Sequence, residues 1–307
     1  MYNIQAALQA KALMRKHRKW VKLAIRTFNT ILCLGIPLTL VTKDSELHRH
    51  MHDDSDPTFE LIYLILVIVS LVAYYVVCFT DPGFVPTAGE NKSPRIFHES
   101  HLLDMFGDDD GGDEHSRRVA EETHGVHRRC GFCGIQQPLR SHHCHDCGRC
   151  VRKFDHHCPW VETCIGEGTH KYFLIWLFIF EVLILWTTKM TWGCFTRTDT
   201  WYQWFTENFI LLMNMFWLSN GVCVVTGLLC FHSYIMCVNQ TTWEMISHSR
   251  ITYLKHLSWS HNPFHQGYIQ NVRDFLCRRR YRSWEDLYFR NTRSGVNSHK
   301  NLDLEVV

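Results

Sequence analysis

The sequence predicts an α-helical membrane protein that crosses the bilayer four times and carries a Cys- and His-rich domain between its second and third crossings. Two observations lead to this fold class. Hydrophobic residues make up 46% of the chain, and they are concentrated in four blocks instead of being spread evenly. Half of the 14 cysteines lie between Cys130 and Cys164, in the polar region that separates the second block from the third.

The four apolar blocks have the lengths of membrane helices. The second block, 61–79, is an uncharged run of roughly 19 residues, which spans the hydrocarbon core at ~1.5 Å per residue. We therefore predict helices 1 and 2 within 23–80 and helices 3 and 4 within 172–238. The other three blocks cover about 23–41, about 172–186 or slightly beyond, and about 209–238.

Glu181 lies inside the third block, where a carboxyl group that faced lipid would be costly. We expect this side chain to face the interior of the helix bundle. We favour an interhelical polar pair over a role in ligand binding. The partners expected in the fourth block are Asn214, Ser219 and Asn220.

Basic residues predict the orientation, because the cytoplasmic parts of membrane proteins carry an excess of Lys and Arg. Residues 1–22 contain six of them, and the C-terminal region is basic as well. An even number of crossings then places both the N-terminal segment 1–22 and the C-terminal segment 239–307 in the cytosol. The loop 81–171, between helices 2 and 3, lies on the same side.

Composition narrows the class of function. A formal net charge of +2 is too small to indicate nucleic acid as a partner. Clustered cysteines indicate a reducing compartment, which agrees with a cytosolic loop. We expect the acidic stretch 104–122 to be a solvated loop and Arg278–Arg280 to be a patch at the membrane surface. Asp81-Pro82-Gly83 predicts a turn after helix 2.

The Cys/His-rich segment has the spacing of zinc ligands. Two Cys-x-x-Cys pairs, Cys130/Cys133 and Cys144/Cys147, with interleaved histidines are a strong signal, whereas a single pair would be weak. A closed structural site takes four N or S ligands, so two sites need eight. Six cysteines and two histidines would fill both sites and leave one cysteine over. The spacing alone does not identify that cysteine.

Cys158 is the best candidate for the cysteine outside the metal sites. Asp155-His156-His157 precedes it and Pro159-Trp160 follows it. A thiol beside an imidazole, with a carboxylate to orient the ring, is the arrangement of an activated nucleophile. The segment therefore predicts two zinc sites that hold one reactive cysteine.

The motifs of this segment resemble those of the DHHC family of protein S-acyltransferases (palmitoyltransferases). The family pattern falls here on Cys130–Gly166, within a domain of about 128–171. It consists of Cys-x-x-Cys, Pro-x-Arg-Ser-x-His-Cys, a second Cys-x-x-Cys, Asp-His-His-Cys-Pro-Trp and a closing Cys-hydrophobic-Gly. Asp81–Gly83, Thr241–Glu244 and Asn262–Asn271 resemble further motifs of the family, and the last implies an asparagine that braces the membrane helices.

The resemblance implies a set of ligands for two Zn²⁺ ions. Each site would have three cysteines and one histidine with no open position, so both ions would be structural. A different pairing of the same eight ligands is the alternative. The implied ligands are Cys130, Cys133, His143 and Cys150 in one site, and Cys144, Cys147, His157 and Cys164 in the other.

The resemblance also implies a reaction. Cys158 would be the nucleophile, His156 would take its proton, and Asp155 would hold the imidazole in position. A palmitoyl group would pass from acyl-CoA to Cys158, and then to cysteines of membrane-associated proteins at the cytosolic face. The acyl chain would lie among the four helices in the bilayer. The expected location is an endomembrane, such as Golgi or ER.

Three positions depart from the family pattern, because Glu162, Thr163 and Thr169 stand where asparagines are usual. They keep a second hypothesis open: a catalytically weak member that acts as a zinc-stabilised membrane adaptor. The intact Asp155–Cys158 motif favours the enzyme. A zinc transporter is disfavoured, because its ligands would be expected inside the membrane helices, where few His or Asp occur.

Overall fold

The fold comes from a computed structural model, which describes residues 2–42, 58–87, 128–277 and 284–292. The acidic stretch 104–122 and the Arg278–Arg280 run lie outside the described residues. The chain divides into two compact units. The helical unit contains Met1–Thr80, Cys158–Thr163 and His170–Tyr234, and the Cys/His unit contains Asp81–His157, Cys164–Thr169 and Ile235–Val307.

Four helices of the described chain are long and apolar enough to cross a membrane. The Cys/His-rich segment follows the second of them and precedes the third. The predicted fold class, a helical membrane protein with four spans and an inserted Cys/His-rich segment, is therefore confirmed. The helices are α1 (Tyr2–Thr42, with its apolar part at Lys19–Thr42), α2 (Thr58–Phe79), α3 (His170–Gly193) and α4 (Trp201–Val238).

Helix α3 extends seven residues beyond its predicted apolar block, from 186 to 193. Three hydroxyls explain the extension: those of Thr187, Thr188 and Thr191 each donate to the carbonyl oxygen four residues earlier, at 2.6–2.8 Å. A threonine that bonds to its own helix adds no unsatisfied polar group. Hydropathy alone therefore does not locate the end of this helix.

A group of buried residues, here called the distal cluster, closes one end of the helical unit. Its members come from the last turn of α1, the C-terminal half of α3 and the residue after it, the first half of α2 and the first half of α4. Tyr63 Oη and Thr187 Oγ1 lie 2.9 Å apart and add a polar link between α2 and α3. The members of the distal cluster are Leu40, Tyr63, Val67, Leu183, Met190, Cys194 and Leu211.

Glu181 is buried within the helical unit, as predicted, but its expected partners were wrong. Thr226 Oγ1 of α4 donates to Glu181 Oε1 at 2.6 Å. Asn214 Nδ2 instead donates to Thr39 Oγ1 of α1, at 2.6 Å. The two other expected partners, Ser219 and Asn220, are exposed and donate to carbonyl oxygens of their own helix.

Three two-stranded sheets build the Cys/His-rich segment. In the central sheet, β3 and β4 are antiparallel and His143 is opposite Cys150. Such short strands cannot bury a large core, so another interaction must hold them in place. The pairs are β1 (Arg128–Arg129) with β2 (Gln136–Gln137), β3 (His142–Cys144) with β4 (Arg149–Val151), and β5 (His156–Cys158) with β6 (Thr163–Ile165).

The turn predicted after α2 is present. Asp81 Oδ1 accepts hydrogen bonds from the backbone N–H groups of Gly83 and Phe84, at 2.8 and 2.9 Å. Gly83 has a φ of 99°, which residues with a Cβ rarely adopt. Gly168 packs so closely on this turn that a Cβ there would lie 2.2 Å from the Asp81 carbonyl oxygen.

The C-terminal part of the Cys/His unit is helical. It contains α5 (Thr242–Ser247), a 3₁₀ turn (His248–Arg250), α6 (Tyr268–Cys277) and α7 (284–292). The N-terminus of α5 is a capping box, in which Thr241 and Glu244 exchange side-chain and backbone hydrogen bonds. Asn271 Nδ2 donates to the Cys237 carbonyl oxygen at 2.8 Å, close to the C-terminus of α4.

Candidate active site and metal clusters

Two turns of the same design present the first four cysteines of the segment. In the first turn the Cys133 N–H donates to Cys130 Sγ at 3.3 Å, and in the second the Cys147 N–H donates to Cys144 Sγ at 3.4 Å. A glycine with positive φ follows each turn: Gly134 at 69° and Gly148 at 67°. The sequence Cys-x-x-Cys-Gly thus folds locally into a loop that points two sulfurs to one side.

The described residues contain two clusters of four Cys and His side chains, and their composition is the one that the family resemblance implied. Within each cluster the four ligand atoms lie within 4.8 Å of one another. The first cluster contains Cys130, Cys133, His143 and Cys150, and the second contains Cys144, Cys147, His157 and Cys164.

The spacing of the donors fits a tetrahedral zinc ion. In the first cluster, His143 Nδ1 lies 3.6, 3.2 and 3.9 Å from the three sulfurs, and in the second His157 Nδ1 lies 3.6, 3.5 and 3.7 Å from them. Zn–S bonds of about 2.3 Å and Zn–N bonds of about 2.0 Å give tetrahedral edges of about 3.5–3.8 Å. Both clusters could therefore hold a metal ion.

Crowding of the sulfurs shifts pKa values in opposite directions within the second cluster. Hydrogen bonds from Cys147 and Cys164 lower the pKa of Cys144. Hydrogen bonds with Cys144 and Cys147 raise the pKa of Cys164. Cysteine binds a divalent cation as the thiolate, so metal binding would release the protons that these thiols share.

Cys158 belongs to neither cluster among the described residues. Its side chain is 5% exposed and stands at the end of β5. The turn that follows is held by the Glu162 N–H, which donates to the Cys158 carbonyl oxygen at 2.9 Å. Glu162 has a φ of 53°, and its carbonyl oxygen accepts a hydrogen bond of 2.7 Å from Lys22 Nζ of α1.

The Cys158–Thr163 segment is anchored at the other end of the helical unit from the distal cluster. Tyr74 Oη donates to the Trp160 carbonyl oxygen at 2.9 Å. Tyr74 lies in the last two turns of α2, and Lys22 lies in the first turn of the apolar part of α1. Both anchors are therefore at the opposite helix ends from those that form the distal cluster.

Asp155 and His156 form a hydrogen-bonded pair. Asp155 Oδ2 lies 2.6 Å from His156 Nδ1, and the Asp155 side chain is fully buried. Thr242 holds the same carboxylate through two further bonds, from its N–H to Oδ1 and from its Oγ1 to Oδ2, both at 2.8 Å. The carboxylate therefore has a fixed orientation and keeps the imidazole in one position.

One of the three departures from the family pattern, Thr169, has a local account. Thr169 Oγ1 donates to the Cys164 carbonyl oxygen at 3.0 Å and accepts from the Gly166 N–H at 3.1 Å, so a threonine closes this loop. Glu162 occupies a left-handed backbone position, which asparagine tolerates better than glutamate does. Thr163 is buried in β6, and no side-chain contact explains its identity.

Sequence reasoning missed the residues that support the Asp155–His156 pair. The contact between the Thr-Thr-x-Glu motif and Asp155 joins residues 87 positions apart, so no local pattern indicates it. Arg140 and Lys153 were not singled out, although both are buried cations, which are rare without a specific partner. The available signal was the place of Arg140 inside the Pro-x-Arg-Ser motif and of Lys153 two residues before Asp-His-His-Cys.

Comparisons with known proteins agree with this site. A family model described as DHHC palmitoyltransferase matches residues 124–249. Palmitoyltransferase ZDHHC12 of Homo sapiens is 35% identical over 88% of this chain and 94% of its own length. Palmitoyltransferase ZDHHC12-A of Danio rerio is 34% identical over 89% of this chain and 96% of its own length. Protein S-acyltransferase 10 of Arabidopsis thaliana is 30% identical over 72% of this chain and 72% of its own length. The motifs and these relatives show that the chain belongs to the DHHC palmitoyltransferase family.

Proposed function

We propose that this palmitoyltransferase transfers a long-chain acyl group from acyl-CoA to protein cysteines through a thioester on Cys158. The observation that carries the proposal is the separation of roles among the sulfurs. Eight Cys and His donors gather in two clusters, and Cys158 stays outside both of them. A cysteine that is not needed as a metal ligand is available as a nucleophile.

His156 is the general base of the first step. Its Nδ1 is bonded to Asp155, so its Nε2 is the nitrogen that takes the proton from the Cys158 thiol. The two residues are separated by one position on β5, and side chains i and i+2 of a strand point to the same face. The thiolate attacks the thioester carbonyl of acyl-CoA, the bond to the CoA sulfur breaks, and CoA leaves with the proton from His156.

The second step repeats the same chemistry with a protein cysteine. His156 takes the proton of the acceptor thiol, and the resulting thiolate attacks the carbonyl of acyl-Cys158. The bond to Cys158 breaks, the thioester moves to the acceptor, and Cys158 takes the proton from His156. One thioester replaces another in each step, so the transfer needs no further energy source. Membrane-associated proteins with cysteines at the cytosolic face are the proposed acceptors.

The two clusters would each bind a structural Zn²⁺ ion. Each set of three thiolates and one imidazole fills a tetrahedral site, which leaves no position for a substrate. Metal binding at these eight residues would contribute free energy to the folding of three short hairpins that have few large apolar side chains. Residues of the chain, rather than the metal, perform the proton transfers.

The helical unit supports a place for the acyl chain in the membrane. The segment that contains Cys158 is anchored at one end of α1 and α2, and the distal cluster closes the other end. An acyl chain that enters among the helices gains about 0.8 kcal/mol for each methylene that leaves water. Bulk in the distal cluster then sets the longest chain that fits. A Leu183→Ala variant should accept longer acyl-CoA donors than the wild type, and an unchanged length profile would contradict this placement.

The proposed location is an endomembrane, with the active site in the cytosol. The basic N-terminal residues and the need of thiolate clusters for a reducing compartment support this orientation. Epitope tags at both ends should bind antibody after the plasma membrane alone is permeabilised. A tag that becomes accessible only after the internal membranes are opened would contradict it.

The decisive experiment compares wild type with Cys158→Ser in purified protein incubated with a labelled palmitoyl-CoA analogue. The wild type should acquire label that hydroxylamine removes, because hydroxylamine cleaves thioesters, and the variant should not. Cys223→Ser is a matched control, since Cys223 is an exposed cysteine on α4. Equal labelling of wild type and Cys158→Ser would overturn the mechanism and favour the adaptor hypothesis.

A further inference from the structure

Arg140 is a fully buried arginine of the Cys/His unit, and its side chain has no exposed surface. Its guanidinium forms a two-pronged ion pair with Glu244, from Nε to Oε1 at 2.7 Å and from Nη2 to Oε2 at 2.6 Å. It also donates to Asn239, to the side-chain oxygen at 3.2 Å and to the carbonyl oxygen at 3.0 Å. Four of its five N–H groups are therefore directed at the protein.

Aromatic rings cover the guanidinium. Arg140 Cζ lies 4.0 Å from the centre of the Phe264 ring and 4.5 Å from that of Trp284. These contacts and the four hydrogen bonds leave no room for a phosphate ligand. Arg140 is therefore part of the protein interior, and its role must be exerted through the groups that it holds.

Glu244 is the first of those groups. Besides Arg140, its carboxylate accepts hydrogen bonds from the Thr241 N–H at 3.0 Å and from Tyr253 Oη at 3.1 Å. The bond to Thr241 is half of the capping box that begins α5. Because the arginine fork is rigid, the ion pair fixes the position of the first turn of α5.

Thr242 is the first residue of α5, and it connects this helix to the active site. It donates twice to Asp155, which in turn binds His156 Nδ1. Short hydrogen bonds and the peptide bond between Thr241 and Thr242 therefore connect Arg140 to His156. The four residues in between are Glu244, Thr241, Thr242 and Asp155. Every bond in the path is 3.2 Å or shorter.

Backbone strain is concentrated at the origin of this path. Among the described residues, four that are not glycine have a positive φ. Three of them are in contact, because the side chains of Arg140 and Lys153 both donate to the side-chain oxygen of Asn239. Residues in the left-handed region are costly and persist where the surroundings hold them. Strain of this kind collects at sites where geometry matters for function.

We infer that Arg140 is a positioning residue for the reaction, which acts through Glu244, Thr242 and Asp155 to hold His156 in the orientation that accepts the proton of Cys158. This inference rests on the proposed function. The arginine of the Pro-x-Arg-Ser motif and the glutamate of the Thr-Thr-x-Glu motif then have a joint role, which is to position His156. Neither residue touches the reacting atoms.

A double-mutant cycle tests the inference in the full-length protein. Single-turnover acylation is measured over a series of palmitoyl-CoA concentrations. The amplitude reports the folded fraction, the rate constant at saturation reports the chemistry, and the concentration at half-maximal rate reports binding. The variants are Arg140→Gln, Thr242→Val and the combination of the two. Arg273→Gln is the matched control, because Arg273 is exposed on α6.

Arg140→Gln should lower the rate constant at least tenfold, with an unchanged palmitoyl-CoA concentration at half-maximal rate. Arg140→Lys should lie between wild type and Arg140→Gln, because it keeps the charge but loses the fork. The double variant should be about as slow as the slower single variant, since both substitutions interrupt one path. Arg273→Gln should match the wild type.

Two results would overturn the inference: a reduced amplitude with a wild-type rate constant in Arg140→Gln, or rate losses that multiply in the double variant. If Arg140→Gln does not fold, the same cycle with Arg140→Lys decides between coupled and independent losses. Failure of the proposed function has a different signature. In that case Cys158→Ser retains the label of the wild type, whatever the Arg140 variants do.

Discussion

Lys153 Nζ donates a hydrogen bond of 2.9 Å to Asn239 Oδ1, the same oxygen that accepts from Arg140. Burial of the Lys153 ammonium is the main cause that lowers its pKa, to about 7, and repulsion from Arg140 adds to it. Carboxylates that act in the opposite direction are those of Glu244, Glu167 and Asp155.

This lowered pKa predicts a pH dependence of stability. Between pH 7 and pH 10 the unfolded chain holds a proton on Lys153 that the folded chain has lost, so the free energy of unfolding should rise with pH in this window. Below pH 7 both states are protonated, and the cost of the buried charge is constant. Thermal unfolding of wild type and Lys153→Met from pH 6.5 to pH 9 checks the sign. The wild type should gain stability relative to the variant, and parallel profiles would contradict the prediction.

Metal analysis should find two zinc ions per chain, with ligand variants losing them selectively. Cys133→Ser and Cys147→Ser each remove a donor from a different cluster. Each variant should retain at most one ion per chain, with a lower melting temperature, because metal binding contributes to folding. Cys158→Ser is the informative control, since it should keep both ions while it loses acylation. A Cys158→Ser protein with one ion would contradict the separation of metal ligand and nucleophile.

Glu162→Asn should stabilise the protein. Glu162 has a φ of 53°, and the left-handed region costs an ordinary residue about 1–2 kcal/mol, part of which asparagine avoids. The bond from Lys22 goes to the backbone carbonyl oxygen and survives the change. We expect a gain of up to about 1 kcal/mol in thermal or denaturant unfolding. Glu162→Gln is the control, and an equal gain there would show that backbone strain is not the cause.

Gly168→Ala should destabilise the turn after α2. The added Cβ would lie 2.2 Å from the Asp81 carbonyl oxygen and 3.2 Å from the Gly83 nitrogen, both of which are backbone atoms. Overpacking of this kind costs about 1–3 kcal/mol. Gly131→Ala is the matched control, because no heavy atom lies within 4 Å of a Cβ there. Equal melting temperatures of the two variants would contradict the prediction.

The features that could be predicted from sequence are those that depend on neighbours in the chain. An apolar block such as 61–79 requires a membrane helix whatever it packs against, and a Cys-x-x-Cys-Gly turn folds within five residues. The capping box at Thr241 is equally local. The helix ends were less accurate, because hydropathy does not register that Thr187 and Thr188 bond to their own helix.

The features that sequence reasoning missed depend on contacts between distant segments. Glu181 binds Thr226 rather than the expected residues because helix packing, not polarity, decides which side chains meet. The bond from Thr242 to Asp155 joins residues 87 positions apart. The pKa of Lys153 is lowered by burial, which no local pattern reveals.

The order of the metal donors along the chain has a consequence for how this domain can change. His143 and Cys144 are consecutive, yet they belong to different clusters. The first cluster needs the stretch from Cys130 to Cys150, and the second needs the stretch from Cys144 to Cys164. Since the two stretches overlap, no cut or deletion yields two independent one-metal fragments, and loss of the shared hairpin removes two donors from each ion. The domain can therefore be inherited, exchanged or lost only as a whole.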